Sequence, residues 1–177
     1  LDAYAREKAA SERTIRERLE RFDILRLNAP YGPAPTIETV PFRFVQRALR
    51  NLPLELFGSG KRQQTFTYVG DIADAVERLL EREPTCETID LAGSERVSMR
   101  RLAETVLSVV SDSQSEIRQL SDVEDPAERI VPDIDTERTL RLIGWRGATT
   151  LTDGLSQIAE FLRSQELDRE PKEGAKR

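Results

Sequence analysis

Two rhythms alternate along this sequence, and their alternation limits the folds open to it. Short runs of β-branched and leucine-rich character, 24–27, 54–57, 64–69, 87–91 and 116–120, alternate with stretches whose apolar residues recur every three or four positions. A helix followed at once by such a run reads as the second half of a βαβ unit. The expected class is therefore α/β, built on parallel strands.

The first helix, 3–22, carries a stripe of Tyr4, Lys8, Ser11, Ile15, Leu19 and Phe22. These share one helix face, which the spacing points into the fold. Tyr4 and Lys8 stand one turn apart at its near end. An ammonium beside a phenol favours the phenolate, which suits a Tyr-x-x-x-Lys pair to proton transfer. The chain uses Arg for 23 of its 27 basic residues, yet this position is Lys, a compact donor that Arg does not imitate. A packed Tyr beside a solvated helix-end Lys is the plain alternative.

Composition narrows the chemistry. The sequence has no His, so Ser-His-Asp and Cys-His nucleophile systems and most transition-metal sites are excluded. No metal site is expected. Any acid or base must be Tyr, Lys, Asp or Glu. The single Cys86 fits a reducing compartment, so a cytoplasmic location is expected. A net charge of −5 without a basic-aromatic run argues against nucleic acid, and no 18-residue apolar run suggests a membrane span. The chain opens in amphipathic helix without Met or signal peptide and reads as a piece of something longer.

The remaining elements follow in order. Asn28–Pro35 is a Pro/Gly loop at the end of the first strand, where open α/β sheets bind ligands. Phe42, Val45 and Leu49 pattern a helix. Gly58-Ser-Gly60-Lys-Arg62 reads as a hairpin turn returning through strand 64–69, with Lys61 and Arg62 at its tip. It lacks the third glycine and the following helix of a phosphate loop. Asp71 is read as the cap of a helix whose apolar face is Ile72, Ala75, Val76, Leu79 and Leu80. Ser98 caps the next, with Leu102, Val106, Val109 and Val110 inward. Ser121–Asp135 is a polar loop, Thr136–Ile143 a short helix stopping at Gly144 with Trp145 packed against it, and Leu151–Leu162 the last helix. The domain is drawn at 1–163, with a disordered charged tail at 164–177.

Five words stand in a familiar order: Tyr4-x-x-x-Lys8; Arg26-Leu-Asn-Ala-Pro-Tyr-Gly-Pro33; Gly58-Ser-Gly60 to Phe66-Thr-Tyr-Val-Gly-Asp71; Ile89-Asp-Leu-Ala-Gly93 to Ser98; and Leu142-Ile-Gly-Trp145 to Gly154-Leu155. Together they resemble the C-terminal half of NAD-dependent epimerase/dehydratases, the extended short-chain dehydrogenase/reductases. The resemblance covers roughly residues 3–162 and implies an α/β fold: the second half of a Rossmann-like doubly wound parallel sheet plus a small α/β substrate-binding lobe.

The resemblance implies that Tyr4 is the catalytic acid/base and that Lys8 binds the nicotinamide ribose. It implies that Asn28 touches the nicotinamide end of NAD or NADP in the complete enzyme. It also implies a sugar or nucleotide-sugar substrate and a homodimer formed through the 3–22 helix. Substrate-binding positions fall at Ala29, Lys61, Arg62, Gln64 and Arg129. Three departures qualify this. The glycine fingerprint and catalytic Ser/Thr of the family lie upstream of this Tyr, so no cofactor is expected on this chain alone, which would be inactive unless another chain supplies that half. Gln64 stands where nucleotide-sugar members tend to carry a diphosphate-clamping Arg, and Asp125-Pro126-Ala127-Glu128 where another Arg is usual. Ala29 replaces a substrate-binding Asn. The alternatives are a non-catalytic or truncated relative acting as a dimerising or binding module, and a generic α/β domain with a coincidental Tyr-Lys pair.

Overall fold

A computed structural model describes residues 3–120, 122–131 and 134–169, the side chains through 165. The elements in order are α1 (Ala3–Arg18), β1 (Ile24–Leu27), β2 (Pro30–Tyr31), α2 (Val40–Leu49), β3 (Leu54–Phe57), β4 (Gln63–Thr65), β5 (Thr67–Tyr68), α3 (Val69–Leu80), β6 (Thr88–Leu91), β7 (Arg96–Ser98), α4 (Met99–Val109), β8 (Ile117–Leu120), α5 (Thr136–Ile143) and α6 (Leu151–Arg169).

Parallel pairing dominates. Among the described residues, β1 lies parallel to β6, β2 to β5 and β3 to β8, and only β4 with β7 is antiparallel. Parallel neighbours need a crossover connection, and a helix supplies it in the two longer pairs, α3 before β6 and α4 before β8. This corrects the expected hairpin. β3 does not return through the next strand; its partner is β8, more than 60 residues on, and the glycine turn feeds β4 and then β5. The expected strand 64–69 is two short ones, because Val69 already begins α3.

Two apolar clusters result. One packs Ala75, Ile89, Leu91 and Trp145 between the β1–β6 pair and helices α3 and α5. The other gathers Val45, Leu54, Leu56, Leu102, Val106, Leu155 and Ile158 from α2, α4, α6 and β3. The aromatic side chains of β2 and β5 meet on its flank, with Tyr31 5.7 Å from Tyr68 and 6.1 Å from Phe66, ring centre to ring centre.

Local chemistry sets the helix ends. Ser98 Oγ accepts the Arg101 N–H at 3.0 Å, as its position in the sequence suggests. Asp135 caps α5 in the same way, and Gly144 ends α5 at φ +62°, where a Cβ would be strained. Asp71 is not a cap. Tyr68 holds that position, and Asp71 sits in the first turn, where its carboxylate accepts from Ala148 N, Thr149 N and Thr149 Oγ1. On α3, Val76 and Leu80 face outward, Leu80 82% exposed, rather than joining the apolar face. The last helix runs on to Arg169, past the expected stop at 162; of the expected tail, 170–177 lie outside the described residues.

The opening helix departs furthest. It ends at Arg18, and none of its residues is buried. Ile15 and Phe22 are half-buried, while Tyr4, Lys8, Ser11 and Leu19 are exposed. The stripe therefore does not enter a core among the described residues. Polar contacts bind the helix instead: Arg26 on β1 forms two 2.7 Å hydrogen bonds to Glu12, and Arg16 donates to the Thr88 hydroxyl at the start of β6.

Candidate active site

Those two contacts fix the direction of α1. Arg16 lies beside Thr88, the partner of Ile24, while Glu12 lies beside Arg26, two residues further along β1. Moving toward the helix N-terminus therefore moves toward the carboxyl end of the strands. Lys8 and Tyr4 stand one and two turns beyond Glu12, about 6 and 12 Å by helical rise. They lie toward the edge where the Asn28 loop begins.

The two side chains meet. Lys8 Nζ stands 5.4 Å from the centre of the Tyr4 ring, within range of a cation–π contact. Tyr4 is 68% exposed, so its hydroxyl is open to a ligand. The other two tyrosines are not comparable. Burial, and then the Asp71 carboxylate, push Tyr31 and Tyr68 above the ordinary phenol value. The Tyr68 hydroxyl is also engaged, donating to Gln157 Oε1 at 2.5 Å.

Asn28 is held from three sides. Its N–H donates to Leu91 O at 2.9 Å, its carbonyl accepts from Thr67 Oγ1 at 2.6 Å, and its side-chain oxygen accepts from Gln64 Nε2 at 3.3 Å. Ala29 follows at φ +39°, a strained backbone for a residue with a Cβ. The fully buried Thr67 fastens this bend: its N–H donates to Ala29 O, and its hydroxyl also reaches Leu91 O at 3.3 Å. Sequence reasoning overlooked Thr67. The available signal was a hydroxyl in the inward register of Phe66-Thr-Tyr-Val.

The chain thus brings Asn28 and Gln64 together, with Ala29 next to Asn28, and sets Arg62 and Arg129 against different hollows that share Asp125, Lys61 preceding Arg62 in the glycine turn. Lys61 and Arg129 are exposed. Arg62, expected at an open tip, is half-buried, its guanidinium 3.8 Å from the Asp125 carboxylate. Between α2 and β3, next to Arg62, lies a cavity of about 130 Å³. Phe44, Phe57 and Met99 line it together with Arg43 and Arg47; the sequence reading named neither arginine. A larger hollow of about 640 Å³ opens on the other side of Asp125, against Ser59, Glu128 and Arg129. Among the described residues, no His, Cys, Asp and Glu cluster is placed to hold a metal ion, and no helix is long and apolar enough to cross a membrane.

Parallel strand pairs with helical crossovers, and polar side chains gathered at their carboxyl edge, define a Rossmann-type α/β protein. Residues 1–92, just over half of the chain, match the model of the NAD dependent epimerase/dehydratase family, and the chain belongs to that family. UDP-glucuronic acid decarboxylase 2 of Arabidopsis thaliana is 30% identical over 154 residues, 86% of this chain and 34% of the relative. The dTDP-4-dehydro-6-deoxyglucose reductase of Escherichia coli is 24% identical over 143 residues, 78% of this chain and 44% of the relative. The fold matches UDP-glucuronic acid 4-epimerase of Bacillus cereus, solved with UDP-glucuronic acid and NAD, at a TM-score of 0.77 and 21% identity; the match covers 89% of this chain and 50% of that one. The chain thus spans between a third and a half of the length of these relatives.

Proposed function

We propose that this chain is the catalytic Tyr/Lys helix and substrate-binding part of a nicotinamide-dependent epimerase, dehydratase or reductase acting on a sugar or nucleotide-sugar. The observation that carries this reading is the Lys8 ammonium, 5.4 Å from the centre of a solvent-open Tyr4 ring. The Tyr4 hydroxyl gives or takes the proton of the substrate's reacting hydroxyl or carbonyl oxygen. Lys8 keeps positive charge beside that phenol and donates to the ribose hydroxyls of the cofactor. Asn28, with its side-chain oxygen Oδ1 engaged by Gln64, keeps its side-chain N–H donors for the nicotinamide end.

These residues fit one end of a dinucleotide. The sequence contains no Gly-x-x-Gly-x-x-Gly turn, so the residues present do not form the phosphate end, and NAD and NADP are equally compatible with them. When bound, the nicotinamide supplies the hydride acceptor and donor. Arg62, Lys61, Gln64, Ala29 and Arg129 face the substrate in this reading. The half-buried Ile15 of α1 and the exposed Leu19 just past its end support a homodimer through that helix. The lone free Cys86 supports a cytoplasmic location.

In the complete protein, Tyr4→Phe lowers turnover by about 10²–10⁴-fold, the usual worth of a general acid/base, and leaves thermal stability unchanged because the hydroxyl is exposed. Undiminished turnover would refute the proton-transfer role. A second reading, a dimerising or binding module without activity of its own, is favoured by an α1 that buries none of its residues. It predicts no NAD turnover by this polypeptide alone.

A further inference from the structure

The glycine turn between β3 and β4 is closed by the chain itself. Glu128 reaches back to it: its Oε1 accepts from the Ser59 hydroxyl, and its Oε2 lies 3.4 Å from Ser59 N. The same oxygen sits 2.7 Å from the point a Cβ on Gly58 would occupy, so the carboxylate rests against a turn whose φ of +56° favours glycine. Gly58 N–H donates to Val123 O at 2.8 Å, fastening residues 122–131 across the turn as a strap. The strap's second acid, Asp125, pairs with Arg62 and is itself 92% buried, its side chain showing 8% of its surface.

Donors that would serve an external anion are thereby engaged by internal ones. The Ser59 N–H, the Ser59 hydroxyl and the Arg62 guanidinium all point to carboxylates of one short strap. Beside them lies the 640 Å³ hollow with Arg129 on its wall. It is large enough for a phosphate-bearing group, yet Glu124, Asp125 and Glu128 also line it and oppose one.

We infer that Glu128 is a built-in competitor for the anionic part of the substrate, a latch that a phosphate group must displace from Ser59 before it can bind. The inference rests on the proposed nucleotide-sugar reading and adds to it how the site is regulated. Displacement exchanges one charge-assisted hydrogen-bond set for another, so the latch lowers affinity for anions without closing the site to them. A ligand whose phosphate satisfies Ser59 and Arg62 together lifts the strap; a neutral sugar leaves it shut.

The test titrates the full 177-residue chain and its Glu128→Gln and Glu128→Ala variants with inorganic pyrophosphate and, separately, with UDP, following the Ser59 backbone amide by NMR. Both variants are expected to bind pyrophosphate about tenfold more tightly than the wild type, the order of one charge-assisted hydrogen bond, with the Ser59 resonance moving on binding. An equal gain for UDP supports both the latch and the nucleotide-sugar reading. A gain for pyrophosphate with no UDP binding keeps the latch and overturns that reading. If wild type and both variants bind pyrophosphate equally, or the variants bind it more weakly, the latch is refuted, even where UDP binds all three.

Discussion

Gly154 offers a perturbation whose sign separates two physical effects. It is the fourth residue of α6, already hydrogen-bonded into the helix through its N–H to Thr150 O. Helix propensity alone predicts that Gly154→Ala stabilises the chain by about 1 kcal/mol. The packing predicts the reverse. A Cβ at this position would stand 2.2 Å from Tyr31 Oη, 2.7 Å from Cζ and 2.8 Å from Cε2. Carbon atoms settle at about 3.5–4.0 Å, so the ring would have to withdraw by about 1 Å. It has nowhere to go: Tyr31 is 3% exposed and held edge-on by Phe66 and Tyr68. Overpacking of this kind costs about 1–3 kcal/mol, leaving a net loss of up to about 2 kcal/mol and a melting point lower by up to about 4–8 °C. Urea unfolding followed by far-ultraviolet circular dichroism reads the change. Tyr31→Phe in the same chain removes the nearest atom but not the two ring carbons, so it restores only part of the loss. A Gly154→Ala chain more stable than the wild type by the full helix-propensity gain of about 1 kcal/mol would show that α6 does not press on this ring. The consequence reaches the site, since Tyr31 lies three residues after Asn28 on the same loop.

Asp71→Asn should cost about 1–3 kcal/mol, because one carboxylate accepts from Ala148 N, Thr149 N and Thr149 Oγ1 and an amide oxygen cannot serve all three; amide exchange at 148 and 149 should quicken in step with the lost stability. The docking of α1 on β1 should depend on pH. Hydrogen bonds from Arg26, opposed by partial desolvation, hold the Glu12 carboxyl below its ordinary value. A depressed acid contributes stability above its unfolded pKa of about 4.3 and loses it as pH falls through the lower folded value, so α1 should loosen only below about pH 4. Glu12→Gln should abolish that dependence in amide shifts along α1; a wild-type chain whose α1 shifts stay flat through acid would contradict the pairing.

The helices were largely legible because their signals are local. Ser98 announces α4 by its side-chain oxygen, and Gly144 ends α5 by tolerating φ +62°, whatever the rest of the chain does. Strand partners were not legible. The glycine turn looked like a hairpin because turn chemistry concerns a few residues, whereas pairing β3 with β8 depends on where α4 can pack. The same limit governs side chains. The spacing put Tyr4 and Lys8 on one face, and the structure sets the ammonium over the ring, yet spacing could not say whether that face would be covered.

By itself, then, the sequence determined the class of fold, the Ser98 start of α4, the Gly144 end of α5 and the pairing of phenol with ammonium, since the local features among these follow from residues within a turn or two of one another. Only the tertiary structure decided that Gln64 turns to Asn28, that Thr67 ties three chain segments together, and that Glu128 comes back 69 residues to sit on Ser59. Such contacts are set by how helices and strands stack, and that depends on burying apolar surface across the whole chain.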